Sequence, residues 1–129
     1  MEENNNLKIF KICLVGESGV GKTCIINRFI KNEFNIDENP TLAASYAQKN
    51  VKLDDNTIIR FHIWDTAGQE KYRSIAKIFY KDAKAAFLVY DITSQKSFDE
   101  IKNYWYEQIK NNTPENINKF LFYLILIIF

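Results

Sequence analysis

Gly16-Glu17-Ser18-Gly19-Val20-Gly21-Lys22-Thr23 satisfies G-x-x-x-x-G-K-[ST], the pattern of a loop that wraps a phosphate chain. The residues on either side fit that use. Before it, residues 7–15 (LKIFKICLV) alternate and then turn continuously apolar, as a strand entering a core does. After it, residues 24–30 set Ile25, Ile26, Phe29 and Ile30 on one helical face. Strand, glycine loop and helix make an anion cradle. Glycine lets the backbone approach closely, loop N–H groups point inward, and the helix N-terminus adds partial positive charge. Lys22 is then placed to reach the β- and γ-phosphates of a nucleotide, and the Thr23 hydroxyl to ligate Mg²⁺. The competing reading is a chance glycine turn ahead of a helix; the full match with both flanks in place argues against it.

The rest of the composition narrows the class. A chain of 129 residues makes one domain, and 47% hydrophobic with 26% charged residues describes an ordinary soluble globular fold. A net charge of +1 gives no electrostatic case for nucleic acid or a membrane surface. Cys13 and Cys24 read as free, buried thiols in a reducing compartment, and His62 as structural. Residues 1–6 (MEENNN) are acidic and polar, so they read as a disordered lead-in and not as a signal peptide.

Along the chain, residues 31–45 lack a clean period and form a long loop of the kind that carries function in compact domains. Residues 46–53 and 57–64 alternate around Asp54-Asp55-Asn56, a hairpin signature. A weak helix is predicted over 71–80. Residues 85–90 (AAFLVY) read as a central parallel strand buried on both faces. Asp91-Ile92-Thr93-Ser94 reads as loop and cap for a third helix, with Phe98, Ile101, Trp105 and Ile109 at helical spacing. Strands alternating with helices predict an α/β, doubly wound, mostly parallel sheet with helices on both faces and the ligand at the strand carboxyl ends. Gly16 and Asp65 both fall at such ends. Asp65 is then placed to hold Mg²⁺ through water, Gly68 to offer its N–H to the terminal phosphate, and Gln69 to orient an attacking water.

Residues 16–23, Pro40-Thr41, Trp64-Asp65-Thr66-Ala67-Gly68-Gln69-Glu70 and Tyr90-Asp91-Ile92-Thr93 resemble the small GTPases of the Ras superfamily, Rab branch. Ala43-Ala44, Leu53-Asp54-Asp55 and Ala85-Ala86 are most similar to the endosomal Rabs. The resemblance covers residues 7–119 and implies a phosphate-loop NTPase fold that hydrolyses GTP to GDP and regulates vesicle traffic. It implies nucleotide contacts from Glu17, Ser18, Gly19, Val20, Gly21, Lys22, Thr23, Cys24, Phe34, Thr41 and Gly68, with Phe34 leaning on the guanine ring. It implies Mg²⁺ ligation by Thr23 and Thr41, with Asp65, and a catalytic role for Gln69, aided by a partner's arginine finger; that family serves as the standard worked case of this chemistry. Ser18 is a loop residue common in Rabs and implies no defect. Tyr46, Trp64 and Phe79 match the aromatic trio that Rab effectors contact, although large side chains on strands and a helix also suit a core. The implied partners are GTP or GDP, an exchange factor, a GTPase-activating protein and effectors.

The resemblance breaks near the end. The family's Asn-Lys-x-Asp base-recognition motif is expected after a fifth strand, yet residues 120–129 read FLFYLILIIF. This apolar tail is too short for a membrane span, which needs about 20 residues. Its first residues suit a fifth strand, and its remainder is β-prone and aggregation-prone if exposed. A run of Phe, Leu, Tyr and Ile also suits translated AT-rich non-coding sequence, so a C-terminally truncated product of a complete GTPase is one expectation. Under it, guanine selectivity is weak and the chain is a non-cycling fragment that keeps its effector surface. The chain itself is expected in the cytoplasm. Membrane attachment would need the prenylated C-terminus of a longer parent, expected on endosomal or other vesicle membranes. A phosphate-loop kinase is a poorer reading, because it gives the Thr41 loop and residues 65–69 no purpose.

Overall fold

The computed structural model describes residues 6–35, 44–66, 73–113, 115 and 117–124. The expected residues Thr41, Gly68 and Gln69, most of the polar lead and the end of the apolar tail lie outside them.

Strand β1 (Leu7–Val15) leads through the glycine loop into helix α1 (Lys22–Lys31). β2 (Ala44–Lys52) and β3 (Ile58–Thr66) form the hairpin. Its turn is closed by Leu53 N–H donating to the Thr57 carbonyl at 2.8 Å, with Asn56 at φ 61° and Asp55 Oδ1 accepting from Thr57 N–H. Short polar residues tolerate that left-handed corner. Then come α2 (Arg73–Tyr80), β4 (Ala85–Asp91), α3 (Gln95–Glu100), a π-helical turn (Ile101–Trp105), α4 (Tyr106–Asn112) and β5 (Asn118–Leu124).

The five strands order as β2-β3-β1-β4-β5. The β2–β3 pair is antiparallel and every other pair is parallel. The doubly wound sheet predicted from sequence is the fold observed. Strand boundaries differ from the sequence reading: β2 covers Ala44–Lys52 where the alternation predicts 46–53, and β3 covers Ile58–Thr66 where it predicts 57–64. β1 opens at Leu7 as expected, and just ahead of it the Asn6 carbonyl accepts from Ile58 N–H at 3.1 Å. β5 opens at Asn118 and Lys119, ahead of the apolar run, because parallel pairing sets Asn118 opposite Ala85 at the start of β4.

Strand alternation divides the core. Cys13 and Val15 of β1 and Ala86 and Leu88 of β4 pack with Tyr80, Ile101, Trp105 and Ile109 beneath α2, α3 and α4. Leu14, Ile63 and Val89 point the opposite way, to Val20 and Ile26 at α1. β4 is thus buried on both faces, as its apolar run requires. Ser94 caps α3, its side chain accepting from Ser97 N–H. Asn32 ends α1 in the left-handed region at φ 57°, with its N–H on the Arg28 carbonyl.

Candidate functional site

Parallel pairing of β1 and β3 sets Leu14 opposite Asp65, so the glycine loop and the strand-end acid emerge side by side. Thr66, fully buried, fastens the two ends by donating its hydroxyl to the Leu14 carbonyl at 2.7 Å. The loop leaves β1 at Gly16, at φ +150°, where an added Cβ would stand 2.2 Å from the Val89 carbonyl oxygen. It enters α1 at Gly21, at φ 98°, a left-handed cap that sets no side chain over the helix N-terminus. The partial positive charge of that helix end suits an anion.

Lys22 is 5% exposed. Its ammonium donates to the Gly16 carbonyl at 3.0 Å and the Glu17 carbonyl at 2.8 Å, spanning the loop. Burial pushes it down to about 8, against the opposing pull of the Asp65 and Glu17 carboxylates. A desolvated cation in this position gains strongly from an added anion. Thr23 donates its hydroxyl to Asp65 Oδ2, and Asp65 is 1% exposed. A hydroxyl and a carboxylate converging beside a phosphate cradle are hard oxygen donors, which suits Mg²⁺.

The remaining expected nucleotide contacts are placed less uniformly. Ser18 and Gly19 are exposed at the loop crest and Val20 is buried under it against the α1 side of the core. Glu17 pairs with Lys96 of α3 at 3.0 Å. Cys24 is half-buried where the sequence suggests a buried thiol, because its thiol turns outward to the Asn35 carbonyl at 3.8 Å, which draws the segment after α1 back toward the loop. Phe34 is 51% exposed on that segment.

Tyr46, Trp64 and Phe79 form one stack. Ring centroids lie 5.0 Å apart for Tyr46–Trp64 and 5.5 Å for Trp64–Phe79. Tyr46 is 45% exposed, while Trp64 and Phe79 are half-buried and Trp64 packs against the core cluster, so the trio runs from the surface to the edge of the core. Sequence reasoning missed Thr66 and Lys96, because a tie between strand ends and an ion pair between distant elements depend on register. The run of Thr66 after a strand-end acid was their nearest signal.

A Ras family sequence model matches residues 11–124. The chain belongs to the Ras family. Among its relatives, Ras-related protein RABA1b of Arabidopsis thaliana is 42% identical over 109 residues, covering 84% of this chain and 50% of the relative. Ras-related protein Rab-22A of Homo sapiens is 42% identical over 111 residues, covering 86% and 56%. GTP-binding protein ypt3 of Schizosaccharomyces pombe is 45% identical over 109 residues, covering 84% and 50%. The chain spans about half the length of these curated relatives. The Rab resemblance carried by its motifs agrees with their names. In this Ras family chain, no helix among the described residues is long and apolar enough to cross a membrane.

Proposed function

We propose that the chain is the GTP-binding core of a molecular switch that hydrolyses GTP to GDP and regulates intracellular vesicle traffic, acting in the cytoplasm and at endosomal or other vesicle membranes. The observation that carries the reading is the Thr23–Asp65 hydrogen bond beside buried Lys22, which joins the phosphate loop to the strand-end acid. In this reading Lys22 and the N–H groups of Glu17, Ser18, Gly19, Val20, Gly21, Thr23 and Cys24 hold the phosphates. Thr23 and Thr41 ligate Mg²⁺ directly and Asp65 holds it through water. When bound, Mg²⁺ neutralises charge on the β- and γ-oxygens. Gly68 offers its N–H to the terminal phosphate, Gln69 orients the attacking water and Phe34 covers the guanine ring. An exchange factor, an activating protein and effectors complete the cycle, the effectors on Tyr46, Trp64 and Phe79.

Fluorescent GDP and GTP binding to residues 1–129 with Mg²⁺, with ATP as competitor, tests this. Guanine-selective binding that Lys22→Ala weakens by at least about a hundredfold supports it; an uncompensated buried-charge contact of this kind carries about 3 kcal/mol. Equal competition by ATP would leave phosphate binding and remove the guanine assignment. Absence of binding by a folded chain would favour the second reading, an effector-binding fragment, for which the aromatic stack with its exposed Tyr46 speaks.

A further inference from the structure

The aromatic stack is only the upper end of a larger face. Cys13 and Val15 point into the core beneath α2, α3 and α4, so the odd residues of β1 line that side. Register then brings the even residues of β2 and β3 beside them. α2 covers this face near Trp64 and Phe79, but below that level it is open. Leu7 and Ile9 are 45% and 53% exposed, and Ile58 beside Leu7 is half-buried.

Three cations cross the open part on a diagonal: Lys11 on β1, Arg60 on β3 and Lys52 on β2. Lys11 pairs with His62, Ile9 with Arg60 and Lys52 with Ile58, so each step moves one strand sideways and two residues along. That spacing is about 8 Å per step. Leu7, Ile9 and Ile58 lie directly below the line; above it the register sets His62, Asn50 and Gln48, and beyond them Trp64 and Tyr46. The three strands contribute no carboxylate to this face. Asp65 has the opposite parity, while Asp54, Asp55 and Asp82 sit in flanking turns, the last beside Lys81 and Lys84. Lys11 donates to the Lys81 carbonyl at 2.5 Å and Arg60 to Asn50 Oδ1 at 3.0 Å. Among the described residues no carboxylate forms an ion pair with Lys11, Arg60 or Lys52; the pairs present are Arg73–Glu100 and Glu17–Lys96.

We propose that this β2–β3–β1 face is a docking surface for an acidic amphipathic segment of a protein partner, its carboxylates on the Lys11–Arg60–Lys52 diagonal and its apolar side chains on the flanking patches. The apolar areas supply the attraction and the one-signed diagonal selects the partner. This deepens the effector-surface reading of Tyr46, Trp64 and Phe79, and it does not require nucleotide binding.

The test is an NMR titration of the full chain with a synthetic helical peptide of leucine and glutamate, against its leucine and lysine counterpart. The expected result is shifts confined to this face and binding of the glutamate peptide at least about tenfold tighter, with the advantage shrinking as salt is raised. Lys52→Glu, exposed at a strand end, should weaken the glutamate peptide several-fold, and Lys11→Glu with Arg60→Glu should abolish binding. If the double variant misfolds, the single Lys52→Glu change still decides. Equal binding of both peptides, shifts on the α1 side of the sheet, or indifference to Lys52→Glu would overturn the proposal. Fluorescent GDP binding on the same samples separates the readings: its absence beside a retained glutamate-peptide preference would sink the nucleotide reading alone.

Discussion

At Gly16 the absence of one carbon lets the loop leave its strand. A methyl group there would overlap the Val89 carbonyl, backbone that cannot yield without displacing β4. Gly16→Ala should therefore lower stability by roughly 1–3 kcal/mol, read as a fall in the urea midpoint. Gly19, with open space around it, should lose only the left-handed penalty of about 1 kcal/mol. Cys13 makes a second prediction. Burial pushes its thiol up to about 12 from 9.0, so the folded chain keeps a proton that the unfolded chain releases. That contribution to stability is intact below about pH 9 and is lost as pH rises from 9 toward 12. Cys13→Val should flatten the alkaline decline in denaturation midpoint relative to the parent. At this scale the loop residues were legible, because each type is demanded at its own spacing. The Thr66–Leu14 tie was not, since it exists only once β1 and β3 lie in register.

The helix that follows β4 shows what periodicity can and cannot disclose. Ser97, Ile101, Trp105 and Ile109 are all buried, at a strict spacing of four. In a straight α-helix of 3.6 residues per turn, twelve residues overshoot three turns by about a third of a turn. The π-helical turn at Ile101–Trp105 absorbs that drift and keeps the row facing the sheet. The sequence signalled a helix anchored by Phe98, Ile101, Trp105 and Ile109; Phe98 proves half-buried with Ser97 in the buried row, and the widened turn needed the packing to reveal it. Trp105, fully buried, also lies under the Arg73 guanidinium, which stacks 4.1 Å from Tyr104 and pairs with Glu100 at 2.5 Å. Trp105→Ala should cost about 3–5 kcal/mol by thermal or urea unfolding. Ser94→Ala, which removes the α3 cap, should cost about 1 kcal/mol.

Across the whole molecule the two faces of the sheet are unequally covered. Among the described residues three helices lie on one side and α1 on the other, beside a cavity of about 280 Å³ whose walls include Ile12, Leu14, Phe29, Phe61 and Phe87. An apolar fluorescent dye should brighten on binding there, and Phe29→Lys at its half-exposed edge should reduce the signal. Alternating strands and helices made the layered architecture legible in advance. Strand order was not, because pairing partners lie far apart in the chain and no local pattern names them. That order has a consequence for synthesis. β1 emerges first yet lies at the centre, held between β3 and β4. Cys13 and Ala85 meet across 72 residues. At roughly 5–20 residues per second, the ribosome takes about 4–14 s to deliver the second neighbour after the first strand. Throughout that interval an apolar strand waits with an unfilled edge, so the nascent chain should be a substrate for chaperones until β4 has cleared the exit tunnel.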